Sequence, residues 1–266
     1  MTSAPSDGWN AGATYEEFMG RWSRPVAEEF VRWLDAEPGG HWLDVGTGTG
    51  ALAAAICTLA QPASVVACDP SAPFVESARQ AVVDPRVSFE VAGVGNLPRR
   101  KGGYDAIVSG LALNFFPDMD LAMKEQLSAV RPGGLVGAYV WDYAQGMEFL
   151  RHFWDAATAV EPSAAEMDEG RRFQICEPEA LESLFRSAGA DRVRVAPVST
   201  PTAFSSFEDY WQPFLGGTGP APSLVSSLAE EQRRELEAEL RRRLPIQDDG
   251  HIDLQARAWA VVGHRP

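Results

Sequence analysis

The segment from residue 41 to residue 60 constrains the fold more than any other part of this sequence. An apolar strand, predicted at His41–Val45, runs directly into Gly46, Gly48 and Gly50, and a helical pattern over 51–60 follows. Alternate glycines let a backbone turn tightly and approach a ligand without Cβ clashes. The segment therefore predicts an α/β fold with a ligand at the end of its first strand.

The same alternation of strand and helix continues through the first half of the chain. Apolar runs rich in β-branched residues predict four more strands there, at 64–68, Val87–Val91, 104–109 and 135–141. Two late runs, 191–198 and 256–263, predict the last strands. We therefore expect an α/β, Rossmann-like, seven-stranded sheet that is mostly parallel, with an antiparallel last strand, helices on both faces and helical lid insertions.

Two segments interrupt this alternation. Residues 142–176 combine an apolar helical pattern with an acidic stretch, whereas 204–245 combine aromatic residues, a Gly/Pro-rich loop and a charged helix. Both segments predict lids or substrate-binding insertions beside a core at 15–141. The Pro-Gly-Gly run at 131–134 predicts a break before the fifth strand. We expect all 266 residues to form one domain.

Composition sets limits on location and partners. No apolar run approaches the ~20 residues that span a bilayer, and no secretory leader is visible, so we expect a cytoplasmic protein without a membrane partner. A formal net charge of −14 repels phosphate backbones, which argues against a nucleic-acid partner. The 3 scattered cysteines predict reduced, structural thiols.

The glycine motif on its own is compatible with two ligands. Gly46, Gly48 and Ala51 satisfy the GxGxxA form of a dinucleotide fingerprint. Asp44, however, completes D-x-G-x-G-x-G, which resembles the first motif of the class I S-adenosylmethionine-dependent methyltransferases. The resemblance continues through Asp69, the strand over 104–109 and the L-x-x-V-R-P-G-G run at 127–134. It implies an enzyme that transfers a methyl group from S-adenosylmethionine.

The resemblance also implies which residues bind this cofactor. The backbone at Gly46, Thr47 and Gly48 would lie beside the methionine part, and Asp69 would accept hydrogen bonds from both ribose hydroxyls. The alternative for Asp69 is a charge that stabilises a helix N-terminus. The complete implied set is Arg21, Asp44, Gly46, Thr47, Gly48, Asp69, Pro70, Val94 and Ser109.

Two positions in this set's surroundings leave alternatives open. Asp44 has two possible functional roles: it orders the glycine loop, or it reaches the cofactor's ammonium. The structural alternative is a buried acid that caps loop amides. Gly93 stands where many members of the family have an Asp that binds the adenine amino group. Backbone groups at Val94 would then meet adenine, and we favour a turn role for Asn96.

An aromatic segment precedes the first strand. It comprises Tyr15, Phe18, Met19, Gly20, Arg21 and Trp22. Related enzymes often fold such a segment over the cofactor, where Arg21 would pair with the carboxylate. The alternative is a surface helix whose Phe18 and Trp22 pack on the sheet.

No catalytic motif stands out, because in-line displacement at a sulfonium needs mainly alignment and a place for the nucleophile's proton. The candidate proton acceptors are Asp142, Tyr143 and His152, none in a diagnostic spacing. No grouping of histidines with carboxylates has metal-ligand spacing, so we predict no metal.

The aromatic second half suits a flat or partly apolar substrate. Trp141, Tyr210 and Trp211 are candidate substrate contacts, although a lid packed on itself explains the same residues. Three functions are compatible with the sequence: a methyltransferase for a small-molecule substrate, which we favour, an NAD-dependent oxidoreductase, and a non-catalytic domain that binds S-adenosylmethionine.

Overall fold

A computed structural model describes residues 20–216 and 219–266. Seven strands form one sheet in the order β3-β2-β1-β4-β5-β7-β6. The strands are β1 His41–Val45, β2 Ser64–Asp69, β3 Val87–Val91, β4 Tyr104–Gly110, β5 Val130–Trp141, β6 Asp191–Phe204 and β7 Ile252–His264. β1 to β5 pair in parallel and β7 is antiparallel to both of its neighbours. The predicted Rossmann-like sheet with an antiparallel last strand is confirmed.

Ten α-helices are described in these two ranges. They are α1 Arg21–Leu34, α2 Ala51–Leu59, α3 Ala72–Ala81, α4 Met119–Ala129, α5 Glu148–Val160, α6 Glu169–Arg172, α7 Pro178–Ser187, α8 Phe207–Gly216, α9 Pro220–Ser227 and α10 Glu230–Arg243. Short 3-10 turns lie at Leu113–Phe115, Pro162–Glu166 and Gln174–Cys176. The helices α5 and α6 fall in the first predicted insertion, and α8 to α10 fall in the second.

The strand order positions the site. β1 lies between β2 and β4, so the chain leaves β1 in one direction along the sheet and later returns to its other side. In open α/β sheets, ligands bind beyond the carboxyl ends of the strands at such a switch point. The glycine loop after β1 and the turn after β4 meet at this edge, because Trp42 to Asp44 pair with Ala106 to Val108 in parallel.

The predicted break at 131–134 is wrong in its placement. β5 begins at Val130, and the Pro-Gly-Gly run lies inside the strand. Tyr104 of β4 pairs with Val130 and Ala106 pairs with Leu135, so the pairing between the two strands shifts at this run. Gly133 has a φ of 75°, which a glycine adopts without steric cost. The run therefore shifts the pairing and does not end it.

The last two strands are longer than the predicted 191–198 and 256–263. Their antiparallel pairing continues past the end of β5 to Phe204 and Ile252, so that they form a two-stranded extension. Pro201 lies in the part of β6 beyond the predicted end at 198, and proline is unfavourable in most strand positions. β6 is an edge strand, where a missing backbone N–H costs no ladder hydrogen bond.

The helices pack on both faces of the sheet and cover a continuous apolar core. Phe30 of α1 contacts Tyr139 of β5 with ring centroids 4.7 Å apart. All three cysteines are buried and unbonded. None of the helices in the described ranges combines the length and apolarity that crossing a membrane requires.

Candidate active site

A cavity of about 630 Å³ opens at the carboxyl ends of β1, β2, β4 and β5. Its two ends differ in chemistry. The glycine-loop half, on the β1 and β2 side, is lined by Gly46, Thr47, Gly48, Asp69, Pro70 and Val94. The aromatic half, on the β4 and β5 side, is lined by Leu111, Phe115, Trp141, Tyr143, Leu150 and Glu169.

The glycine loop has one position that is filled by protein and one that is open. A Cβ on Gly46 would lie 2.6 Å from the Cβ of Ala112, so only glycine fits between β1 and the turn after β4. Gly48 has a φ of 54°, and a Cβ there would meet no atom within 4 Å. Gly48 lines the cavity. The loop therefore leaves its open side to a ligand.

Asp69 ends β2 and is buried against this loop, with 8% of its surface exposed. Its Oδ2 accepts the backbone N–H of Gly48 at 3.0 Å, and its Oδ1 accepts that of Ser71 at 2.9 Å. Burial raises the pKa of Asp69, while these two bonds lower it. A carboxylate offers about four acceptor sites, so two remain for ligand hydroxyls.

Asp44 orders the glycine loop from behind. It is fully buried, and its Oδ2 accepts the hydroxyl of Thr47 at 2.7 Å. Burial raises the pKa of Asp44 to about 7. The carboxyl group is not part of the cavity wall, whereas Thr47 is. The structure thus supports the loop-ordering role of the alternatives that the sequence left open.

The loop after β3 lies on the opposite wall of the glycine-loop half. Gly93, Val94 and Asn96 all line the cavity. The backbone N–H of Asn96 donates to the carbonyl of Gly93 at 2.9 Å, which is the turn favoured for Asn96. A Cβ on Gly93 would lie 3.3 Å from the Cβ of Pro70, so glycine at 93 lets the two loops approach.

Besides Asp44, two more of the implied cofactor residues do not line the cavity. Arg21 donates to Asp209 of α8 at 3.2 Å and lies over the ring of Phe204, 5.3 Å from its centroid. Ser109 is fully buried within β4. Ser23, two residues after Arg21 in α1, does line the cavity. Tyr15, Phe18 and Met19 lie outside the described residues.

The three candidate proton acceptors occupy different environments. Asp142 is buried and paired with Arg257, whose Nε donates to its Oδ2 at 2.8 Å, so its charge is already neutralised. His152 lies on α5, where burial lowers its pKa, and it is not on the cavity wall. Tyr143 alone of the three lines the aromatic half.

The candidate substrate residues also divide. Trp141 lines the aromatic half, and its buried Nε1–H has no hydrogen-bond partner in the described part of the chain. Tyr210 is fully buried, and its hydroxyl donates to the carbonyl of Phe149 at 2.8 Å. Trp211 packs against Phe214, with ring centroids 5.9 Å apart. Tyr210 and Trp211 are thus placed in the packing of the insertion, away from the cavity wall.

Glu169 is the one ionisable residue of the aromatic half whose position sequence reasoning missed. It begins α6 within the acidic stretch of the first insertion, which we interpreted only as a lid. Its surface is 6% exposed, and its Oε2 accepts the Nε1–H of Trp154 at 2.7 Å. The only available signal was Trp154 on the apolar face of α5, since a buried indole N–H usually finds an acceptor.

The described residues contain no group of three or more His, Cys, Asp or Glu side chains arranged for a metal ion. The glycine-loop half does fit S-adenosylmethionine. Gly48 leaves an open approach for its methionine part, and the Asp69 carboxylate lies at the end of β2 with acceptor sites left for a ribose. The strand order, the glycine loop and this carboxylate define a Rossmann-like nucleoside-binding enzyme fold.

Comparisons with known proteins assign the class. Residues 43–134 match the model of a methyltransferase domain family. Methyltransferase GfsG of Streptomyces halstedii is 28% identical over 208 residues, which cover 74% of this chain and 71% of that protein. A trans-aconitate 2-methyltransferase of Methylobacterium radiotolerans is 28% identical over 187 residues, 69% of each chain. The human protein named probable tRNA methyltransferase 9B is 29% identical over 166 residues, 58% of this chain but only 34% of its own length.

A solved structure shares the fold. The match is a protein from an antibiotic biosynthesis pathway of Anabaena variabilis, with a TM-score of 0.62, 19% identity, and coverage of 90% of this chain and 98% of that one. The domain match over residues 43–134 and the sequence relatives, together with the site geometry, support a class I S-adenosylmethionine-dependent methyltransferase. The chain is an enzyme of that class, and S-adenosylmethionine is its cofactor.

Proposed function

We propose that the chain methylates a small molecule held in the aromatic half of the cavity, with S-adenosylmethionine in the glycine-loop half. The observation that carries this proposal is the enclosure of the aromatic half. Trp141, Tyr143 and Leu150 form apolar walls, and each is at least nine-tenths buried. Ligand sites for small molecules combine such walls with a few polar groups, within a range of roughly 300 to 1,000 Å³.

Charge supports a small molecule over a nucleic acid. The chain has a formal net charge of −14, whereas proteins that bind phosphate backbones gain affinity from clustered Lys and Arg. Arg241, Arg242 and Arg243 form one basic cluster at the end of α10, and each pairs with a glutamate. This cluster offers no free basic surface to a polynucleotide.

The proposal gives roles to three groups of residues. Gly46, Thr47 and Gly48 bind the methionine part through their backbone, Asp69 accepts the ribose hydroxyls, and Val94 contacts adenine. When bound, S-adenosylmethionine supplies an electrophilic methyl group for in-line displacement. The additions at 142–176 and 204–245 complete one domain with the core, and the first of them supplies Leu150 and Glu169 to the aromatic half.

The test compares three pools of acceptors. The protein is incubated with S-adenosylmethionine that carries a deuterated methyl group, and with small-molecule, transfer-RNA and protein fractions of a cell extract kept separate. We expect label in the small-molecule fraction only. Label in transfer RNA would overturn the proposed substrate class, whereas label in no fraction would contradict a methyltransferase of this specificity.

The D69A variant is the matched negative control for this experiment. It keeps the aromatic half intact and removes the carboxylate proposed to hold the ribose. Labelling that persists unchanged in D69A would mean either that Asp69 does not hold the ribose or that a contaminating enzyme is present, and an unchanged affinity of D69A for S-adenosylhomocysteine would identify the first case. Calorimetry with S-adenosylhomocysteine and with NAD separates the two nucleotide classes, and we expect heat of binding from the former alone.

A further inference from the structure

The carboxyl group of Glu169 has a different environment from its neighbour in the chain. Asp168 is an ion-pair partner of Arg151, whose Nη1 donates to its Oδ2 at 3.0 Å, and its Oδ1 accepts the N–H of Gly170. Glu169 has no ion pair within residues 20–216 and 219–266. Its Oε2 accepts from Trp154, and the residue lines the cavity. Of these two buried carboxylates, Asp168 forms an ion pair, whereas Glu169 has only a neutral hydrogen-bond donor.

Because Glu169 is buried and forms no ion pair in the described ranges, its pKa lies near neutral pH. Burial raises the pKa of Glu169 to about 7, Asp168 adds to this effect, and the bond from Trp154 and the charge of Arg151 oppose it. Tyr143 faces the same part of the cavity from the end of β5. A carboxyl group with such a pKa takes up and releases a proton readily under physiological conditions.

The described residues that line the cavity include no cationic side chain to pair with an anionic acceptor. Asp69 and Glu169 are its charged lining residues, and no Lys, Arg or His lines it in the described ranges. The rest of the chain cannot supply one, because residues 1–19, Gly217 and Thr218 include no Lys, Arg or His. A carboxylate in the aromatic half would be desolvated beside another carboxylate, which is unfavourable.

A base with this acidity also distinguishes between neutral acceptors. An oxygen that receives a methyl group becomes an oxonium, which is a far stronger acid than any carboxylic acid, so its proton passes readily to Glu169. A methylated aliphatic amine becomes an ammonium ion with a pKa of about 10, which keeps its proton in the presence of a group with a pKa of about 7. Glu169 is therefore useful for a hydroxyl acceptor and superfluous for an aliphatic amine.

We infer that Glu169 is the proton acceptor for a neutral hydroxyl group on a largely apolar molecule, an alcohol or a phenol; the inference rests on the proposed methyl transfer to small molecules. The hydroxyl oxygen forms the new bond to the methyl carbon, and the sulfur–methyl bond breaks with its electron pair remaining on sulfur. The hydroxyl proton passes to a Glu169 carboxylate oxygen and from there to solvent. The products are an ether, S-adenosylhomocysteine and one proton.

Binding tests this inference without knowledge of the natural substrate. Two probes share one frame and differ in one group: 4-propylphenol and 4-propylbenzoate. Calorimetry on the full chain saturated with S-adenosylhomocysteine should show the phenol binding at least tenfold more tightly than the benzoate. E169Q should reduce that ratio to less than threefold, since the variant removes the repulsive charge. An equal affinity for phenol and benzoate, or no binding by any probe, would overturn the inference.

Turnover supplies the second readout. With the deuteromethyl donor and 4-propylphenol, we expect E169Q to lower kcat at least 100-fold and to abolish the rise in rate with pH around 7, with KM changed less than threefold. Unchanged kcat in E169Q would contradict Glu169 as the proton acceptor.

The matched control is E166Q. Glu166 lies three residues before Glu169, is exposed and does not line the cavity. E166Q should behave as wild type in every assay. The affinity for S-adenosylhomocysteine distinguishes a failure of the proposed function from a failure of the role of Glu169. A wild type that does not bind S-adenosylhomocysteine refutes the proposed function, whereas normal binding with no effect of E169Q refutes only the role of Glu169.

Discussion

The two halves of the cavity are built in different ways. The glycine-loop half consists of turns that follow β1, β2 and β3 directly, held by backbone hydrogen bonds such as those from Gly46 and Thr47 to the carbonyl of Cys68, at 2.8 and 2.9 Å. The aromatic half takes Leu150 and Glu169 from an insertion. The match to the methyltransferase domain spans 43–134 and so ends before Trp141 and these two residues. The glycine-loop half thus lies in the matched domain, whereas the aromatic half combines residues of that domain, such as Leu111 and Phe115, with residues of the insertion.

Removal of the Asp69 carboxylate should have the largest effect of these variants. The effect should be on binding of S-adenosylhomocysteine, in the glycine-loop half. We expect D69A to weaken binding of S-adenosylhomocysteine by about 30- to 1000-fold, about 2 to 4 kcal/mol, because two charge-assisted bonds to ribose are lost. Calorimetry measures this effect, with E76Q on the exposed face of α3 as the control. Unchanged affinity would leave Asp69 as a charge at a helix end.

The pH dependence of stability tests the aromatic half in the same way. The pKa of Glu169 is about 7 in the folded state against an ordinary 4.5, so its contribution to stability is present below pH 4.5 and is lost as the pH rises through 7. We expect E169Q to be more stable than the wild type by up to about 3 kcal/mol at pH 8, with the difference vanishing near pH 4.5. Asp44 titrates in the same range but is present in both proteins, so its contribution cancels.

Urea unfolding at a series of pH values measures this difference, and E166Q again serves as the control. A constant difference between E169Q and the wild type across pH would show that the pKa of Glu169 is the same in the folded and the unfolded chain. The base proposed for the aromatic half would then have an ordinary acidity.

The sequence predicted the glycine-loop half far better than the aromatic half, for a physical reason. The positions of Asp44, Gly46 and Asp69 follow from backbone requirements of a strand and its turn, which repeat in any sheet of this kind. Glu169 reaches the cavity because α5 and α6 pack beside the end of β5, and its partner Trp154 is fifteen residues away. Such placement depends on tertiary packing, which a single sequence does not encode in a local pattern.

Arg21 and Tyr210 show the same limit from the other direction. Their types fitted a carboxylate ligand and a substrate contact, but the long β6 and β7 extension brings α8 next to α1 and gives both side chains protein partners. The sequence prediction ended β6 at residue 198, whereas the strand continues to Phe204. The partners of both side chains are distant in sequence and leave no local pattern.

A test of Tyr210 sharpens the boundary of the aromatic half. The Y210F variant removes a hydroxyl that donates to the carbonyl of Phe149 in a fully buried cluster. We expect a loss of about 1 to 2 kcal/mol in the free energy of unfolding, because the carbonyl is left without that donor. Turnover per folded molecule and affinity for S-adenosylhomocysteine should stay within a factor of two. A tenfold loss of turnover with unchanged stability would restore Tyr210 to the substrate site.

Arg21 tests the boundary of the glycine-loop half, where the smallest effect is expected. Its guanidinium pairs with Asp209 at 3.2 Å, and the two side chains are 40% and 31% exposed, so solvent screens the pair. We expect R21Q and D209N each to lower the free energy of unfolding by only about 0.2 to 1 kcal/mol, and the double variant to lose no more than the larger single effect plus a few tenths. Affinity for S-adenosylmethionine should change less than twofold in R21Q, because Arg21 is held away from the cavity wall.

If Arg21 instead leaves Asp209 to bind the cofactor's carboxylate, R21Q would lose more than tenfold in affinity for S-adenosylmethionine. D209N would gain affinity, since releasing the arginine from its partner would favour binding. Opposite changes in cofactor affinity in R21Q and D209N, measured by calorimetry, would then show that α1 contributes a residue to the glycine-loop half.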